Sequence, residues 1–345
     1  MYPTQISPRD SRAMKQVEAL LERTGLILDS HLDYICGVFD EDERLVATGS
    51  AFGQTLRCFA VDPAHQGEGL LNLVITHLVE MQMARGNLHL FVYTKPESAK
   101  FFRDLGFYPI AEVPGVMIFL ENQRTGFSAY LERLAEQKRP GRAAAIVMNA
   151  NPFTRGHRYL IERAAGEYDT VHLFLLSEDA GPIPAQVRHR LVREGTADLP
   201  NVICHETEEY LISSATFPGY FLKSEERVLR AQARLDTALF VRIAETLEIT
   251  ARYVGTEPHS VVTGIYNEVL SEALPAHGIQ CRIIPRKELP DGRVISASTV
   301  RRAIHDGCLE DVADMLPETT LTFFRSEEAA PIVAAIRREI DVAHY

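Results

Sequence analysis

Much of what this sequence says about function comes from what it lacks. It contains no run of about 18 apolar residues able to cross a bilayer. Its opening MYPTQISPRD is polar and charged, unlike a secretory leader. The cysteines Cys36, Cys58, Cys204, Cys281 and Cys308 are scattered, odd in number and form no C-x-x-C pair. That excludes a disulfide framework and a cysteine zinc site, and it predicts a reducing, cytoplasmic setting. Basic excess is missing as well. The formal net charge is −11, with −5 carried by residues 1–125 and −6 by the remainder. Neither half looks like a nucleic-acid binder, and neither a nucleic acid nor a membrane is expected as a partner. Neither GxxxxGK[ST] nor GxGxxG occurs, which removes the P-loop and dinucleotide readings. No internal repeat stands out. What remains is ordinary globular material, 345 residues at 46% hydrophobic and 24% charged, enough for two cores.

The first half reads as α+β. Ser11–Arg23 places Met14, Val17, Leu20 and Leu21 on one helical face, and strand-like runs follow at 32–39, 44–52 and 55–61. Next comes Asp62–Gly86, a glycine-containing turn that opens a long apolar-faced helix, then a strand over 88–93 and the segment SAKFFRDLGFYPI. This order resembles the GNAT N-acetyltransferase family, whose Q/R-x-x-G-x-G/A turn holds the pyrophosphate of coenzyme A on backbone N–H groups. Gln66, Gly67 and Gly69 match the first part of that turn, while Leu71 stands where the family has Gly or Ala. Ala99, Phe102, Gly106 and Phe107 match its AxxFFxxLGF signature. No residue presents itself as a general base. The expectation is therefore a domain, residues 1–125, that binds a CoA-like group at Gln66, Gly67 and Gly69. A polar linker over 126–142, with Pro140 and Gly141, follows it.

Residues 143–345 read as a doubly wound parallel sheet with a helical tail. Short apolar runs at 143–148, 171–176, 202–205, 252–254 and 281–284 alternate with helical segments. Ligands of such sheets lie beyond the carboxyl ends of the strands. After the first run stands NPFTRGH, a tight loop leading into a helix, which aims backbone N–H groups and a positive dipole end at whatever sits above it.

That loop resembles the (H/T)-x-G-H motif of the nucleotidylyltransferase superfamily, with Thr154, Gly156 and His157 in the motif positions. The superfamily's ISST-x-x-R-like partner appears as ISASTVR, residues 295–301. The resemblance implies that His157, Thr154 and Arg301 are catalytic, stabilising charge at the α-phosphate of ATP and on the leaving pyrophosphate. Asn149, Asn151, Phe153, Gly156, Glu257, Ser298 and Thr299 would bind the nucleotide, with Ser298 and Thr299 capping a helix. Arg188 and Lys223 are further phosphate candidates. Mg²⁺ is expected to ride on phosphate oxygens, so no protein metal site is expected.

The pairing of these halves, with SATFPGYFLK and GTEPHSVVTGIYN, resembles the citrate lyase ligase family over essentially the whole chain. The resemblance implies ATP-dependent acetylation of the thiol of a phosphoribosyl-dephospho-CoA group on the acyl carrier subunit of citrate lyase. It would proceed through acetyl-adenylate, with acetate as co-substrate and AMP and pyrophosphate released. Other readings of the same residues are an adenylyltransferase for a phosphorylated acceptor of pantetheine or nicotinamide nucleotide type, and an acetyl-CoA-dependent N-acetyltransferase.

Overall fold

The computed structural model describes residues 1–179, 181–211, 217–222, 224–256 and 261–339. Lys223 and Glu257, both expected at the site, lie outside them. The chain forms two compact units, one of residues 1–130 with 218–238, the other of residues 131–217 with 239–345. Residues 218–238, which sequence order assigns to the second half, thus belong with the first unit.

The first unit is a seven-stranded sheet with helices. In chain order it contains β1 (Thr4–Gln5), α1 (Ser11–Arg23), β2 (Tyr34–Phe39), β3 (Leu45–Phe52), β4 (Thr55–Val61), α2 (Leu70–Ala84), β5 (Phe91–Thr94), α3 (Ala99–Asp104), β6 (Tyr108–Val113) and β7 (Met117–Glu121). Strand order is β1-β2-β3-β4-β5-β7-β6, antiparallel except where β4 meets β5. The β6–β7 hairpin escaped sequence reading, because a reading that ends at the LGF segment stops short of its turn at 114–116. Gly67 and Gly69 sit in the left-handed region, at φ +89° and +76°, conformations glycine adopts without the Cβ penalty. Gly69 is the N-cap of α2.

One local feature shapes this unit. Arg57 pairs with Ser50 and Ala60 with Thr48, so Cys58 and Phe59 together oppose the single residue Gly49. That is a β-bulge, and Cys58 takes φ +54° in it. A bulge bends its strand. β4 pairs with β5 at Thr55–Phe91 and Leu56–Val92, and the strands separate beyond.

The second unit starts from α4 (Gly126–Ala135), which begins in the first unit and occupies much of the expected linker. It then runs β8 (Ala143–Met148), α5 (Arg155–Glu167), β9 (Thr170–Leu175), α6 (Ala185–Gly195), β10 (Val202–Glu206), α7 (Glu225–Leu247), β11 (Ile249–Gly255), α8 (Val261–Ala273), β12 (Gln280–Ile284), α9 (Ala297–Asp306), α10 (Glu318–Arg325) and α11 (Ala330–Ile336). α7 carries residues of both units. The sheet order is β10-β9-β8-β11-β12, all parallel. From β8 the chain winds outward to β10, then returns to build β11 and β12 on the other side. Right-handed crossovers then set the two groups of helices on opposite faces. Ala143, Ala144, Ala145 and Ile146 are all buried, as a central strand covered on both faces requires. The winding reverses between β8 and β11, and their carboxyl ends flank the crevice where such sheets hold ligands.

Candidate active site

The loop after β8 is held from several sides. Ala150, Asn151, Phe153 and Thr154 are all buried. The helix starts two residues earlier than the motif suggests, with Thr154 as N-cap and Gly156 already inside the first turn. Thr154 and His157 form a capping box. The Thr154 hydroxyl accepts from the His157 N–H at 3.4 Å, and the Thr154 N–H donates to His157 Nδ1 at 3.1 Å. The same hydroxyl lies 3.0 Å from Nδ1. Thr154 is therefore committed to the helix end and to the imidazole, and its part in the site is to orient His157.

That geometry fixes the tautomer. Nδ1 accepts from a backbone N–H, so it carries no proton, and the neutral ring bears its proton on Nε2. Burial, with the positive charges of Arg286 and Arg301 nearby, lowers the His157 pKa to about 4. At neutral pH the ring is an uncharged hydrogen-bond donor. Phe153, expected at the nucleotide, is instead fully buried in the hydrophobic core and stacks on the His157 ring at 6.1 Å. Its apolar ring was drawn inward, supporting the imidazole from behind.

The two distant motifs meet. Arg301 is buried on α9 and donates from Nη1 to the Asn151 carbonyl. A Cβ on Gly156 would lie 3.4 Å from Ile295 Cγ2 and 3.6 Å from the Ile295 carbonyl oxygen. The first turn of α5 thus rests against the ISAS segment at ordinary van der Waals distance. The capping expectation needs correction. Ser296, not Ser298 or Thr299, is the N-cap of α9, its hydroxyl accepting from Thr299 N–H at 3.5 Å. Ser298 supports it through a 2.7 Å hydroxyl contact, and the Thr299 side chain is exposed.

Arg188 also takes a different place from a phosphate ligand. It is buried, and its guanidinium donates to the carbonyls of Asn149 (2.7 Å), Glu178 (2.5 Å) and Ile183 (3.2 Å), with the Asn149 side-chain oxygen as a further acceptor. It ties the loop after β8 to the segment after β9. Asn149 is engaged by that contact. Asn151 is 5% exposed, and its Oδ1 has no hydrogen-bond partner among the described residues. A buried acceptor without a donor costs stability in the empty protein and is a ready receptor for one from a ligand.

Arg286 was not legible in the sequence. It follows β12, where its N–H donates to Thr256 Oγ1 (3.2 Å) and its Nε to the Thr256 carbonyl (3.0 Å), Thr256 following β11. Its charge acts on His157 alongside that of Arg301. The available signal was its position at the carboxyl end of a parallel strand. Among the described residues no group of three His, Cys, Asp or Glu side chains converges to hold a metal ion. Nor is any described helix long and apolar enough to cross a membrane.

Two helix N-termini, a neutral imidazole donor, two arginines and an unsatisfied amide oxygen thus gather at the sheet's switch point. The set is suited to polyphosphate whose charge shifts during reaction.

The family model described as the citrate lyase ligase C-terminal domain matches residues 143–324. A citrate (pro-3S)-lyase ligase of Escherichia coli strain K12 is 36% identical, over 94% of this chain and 93% of that protein. One of Klebsiella pneumoniae is 38% identical over 91% and 93%, and one of Haemophilus influenzae 35% identical over 92% and 96%. With that identity sustained across both units, the chain belongs to the citrate lyase ligase family.

Proposed function

We propose that the chain acetylates the thiol of the phosphoribosyl-dephospho-CoA group on the acyl carrier subunit of citrate lyase, consuming ATP and acetate. Family membership over nearly the full length of both chains supports the reaction class. The observation that carries the site assignment is the His157 arrangement, a neutral imidazole in the first turn of α5 whose Nε2–H is fixed as a donor.

In the first step an acetate oxygen attacks the α-phosphorus of ATP and the bond to the bridging oxygen of pyrophosphate breaks, giving acetyl-adenylate. Phosphoryl-type transfer asks for alignment and for positive or donor groups where charge grows. His157 Nε2–H serves the α-phosphate oxygens. Arg301 and Arg286 serve the departing pyrophosphate, and Asn151 Oδ1 accepts from a nucleotide hydroxyl or amino group. Thr154 and Phe153 hold the imidazole in place, and Arg188 holds the loop. A magnesium ion carried in with the nucleotide would neutralise part of the triphosphate charge beside Arg301 and Arg286. In the second step the carrier thiol, losing its proton to solvent or base, attacks the acetyl carbonyl. The carbonyl–phosphate oxygen bond breaks and AMP leaves. The Gln66–Gly69 turn at the start of α2 serves as the dock for the nucleotide end of the prosthetic group.

Pyrophosphate–ATP exchange tests the reading. Exchange is expected with acetate present and absent without it. Acetate-independent exchange driven by a phosphorylated acceptor would overturn the ligase assignment in favour of an adenylyltransferase.

A further inference from the structure

The first unit contains a wedge between parallel strands, and the chain fills it with a residue from far along its own sequence. Beyond Leu56 and Val92 the bulge at Cys58 carries β4 away from β5. The facing backbone edges then need other partners. An extended chain bearing secondary amides suits such edges, as in strand addition. The pantetheine arm of a CoA-type ligand is a chain of that kind.

Here the place is taken by Tyr220. Its hydroxyl donates to the carbonyl of Tyr93 on β5 at 3.1 Å, and the backbone of Cys58 on β4 interacts with it from the other edge. Tyr220 therefore bridges the separated strands with one side chain. Its own carbonyl accepts from the Ile27 N–H at 2.9 Å, which secures the segment at a second point. Phe217, Tyr220 and Phe221 are each under a tenth exposed. Burial raises the pKa of the Tyr220 hydroxyl and keeps it a neutral donor. The Arg57–Asp29 pair, 3.1 Å apart and buried, adjoins the same spot.

We propose that Tyr220 is a built-in stopper of the β4–β5 wedge, excluding the arm of a CoA-type ligand. An arm entering there would have to break the contacts to Tyr93 and Cys58 and drive a buried ring into water. A CoA-type group held by its nucleotide end at Gln66–Gly69 consequently keeps its thiol outside the fold. That disposition suits a unit that holds a CoA-type group without transferring acyl groups itself. The exclusion concerns the wedge alone, and only the outward thiol rests on the proposed docking at Gln66–Gly69.

Hydrogen–deuterium exchange of the full chain, read by mass spectrometry on peptides covering β4 and β5, tests it locally. In the unmodified protein acetyl-CoA should leave exchange in both strands unchanged. Tyr220→Ala should raise exchange in β4 about tenfold or more, as expected when a protecting bond is lost, and acetyl-CoA should then slow it again. Protection of β4 and β5 by acetyl-CoA in the unmodified protein would overturn the proposal. So would a Tyr220→Ala protein whose β4 exchanges at the original rate. If the alanine variant fails to fold, Tyr220→Phe keeps the ring and removes the hydroxyl. Faster exchange confined to the Cys58 region supports the bridge, and unchanged exchange there refutes it.

Discussion

Replacing His157 by glutamine and by alanine separates two duties that one side chain performs. The imidazole closes the capping box by accepting the Thr154 N–H at 3.1 Å, and it presents Nε2–H to the site. Glutamine is a natural residue at this third helical position, where its side-chain oxygen takes the same backbone N–H. It should preserve the cap, while its flexible amide replaces the rigid ring that held Nε2–H, so that the N–H it still carries is no longer preorganised at the site. Alanine loses both. Loss of one preorganised donor to a developing charge costs roughly 10²–10³ in rate, about 3–4 kcal/mol. Loss of the cap costs about 1 kcal/mol of stability, or about 2–4 °C in Tm for a unit of this size. His157→Gln should therefore melt close to the unmodified protein yet lose at least about a hundredfold in acetate-dependent exchange. His157→Ala should show the same kinetic loss and the lower Tm. Near-normal exchange in the alanine variant would refute the donor role. A Tm loss in the glutamine variant as large as that of alanine would refute the capping role.

Further outcomes follow from the same geometry. His157 is held neutral with a pKa of about 4, and the paired His172 and His205 near 4 and 3, all below the unfolded value. The unfolded chain thus binds these protons first, so stability is complete above about pH 6.5 and falls as pH drops towards 4, by up to about 3 kcal/mol for His157. Urea midpoints at several pH values read this, and His157→Gln should remove its share; a flat profile would contradict it. Arg188→Ala strips donors from buried carbonyls and should cost about 3 kcal/mol in urea unfolding; a change under about 0.5 kcal/mol, that of an inert surface site, would contradict the loop-tying role. Arg286→Ala should slow exchange about tenfold or more, some 1.4 kcal/mol, with little change in stability, and an unchanged rate would remove it from the site. Bulky residues at Gly67 and Gly69 should raise KM for the carrier while leaving acetate-dependent exchange intact; an unchanged KM would dismiss the dock.

Periodicity made the skeleton readable. All five parallel strands and the loop that turns into α5 follow from apolar runs, since buried strands of a wound sheet are continuously apolar, while the pairing of NPFTRGH with ISASTVR came from their resemblance to nucleotidylyltransferase motifs. Side-chain allegiance was harder to read. Arg188 and Phe153 look like ligand contacts in a motif, but the first satisfies buried carbonyls and the second joins the core. Ser296 caps α9 in place of its hydroxyl neighbours, because the cap falls to whichever residue adopts the extended backbone before the first turn. Arg286 carries no motif at all. Tyr220 shows the limit most clearly, since its partners Tyr93 and Cys58 lie more than a hundred residues upstream and no local pattern records a contact of that reach.

In the proposed reaction the site makes an acetyl thioester through an adenylate. Incubating the chain with ATP, acetate and the deacetylated carrier subunit, then following the carrier by mass spectrometry and the nucleotide by chromatography, tests it most directly. The carrier should gain one acetyl group, removable by hydroxylamine, for each AMP formed. Formation of a dinucleotide product, or carrier acetylation without ATP at the expense of acetyl-CoA, would contradict it.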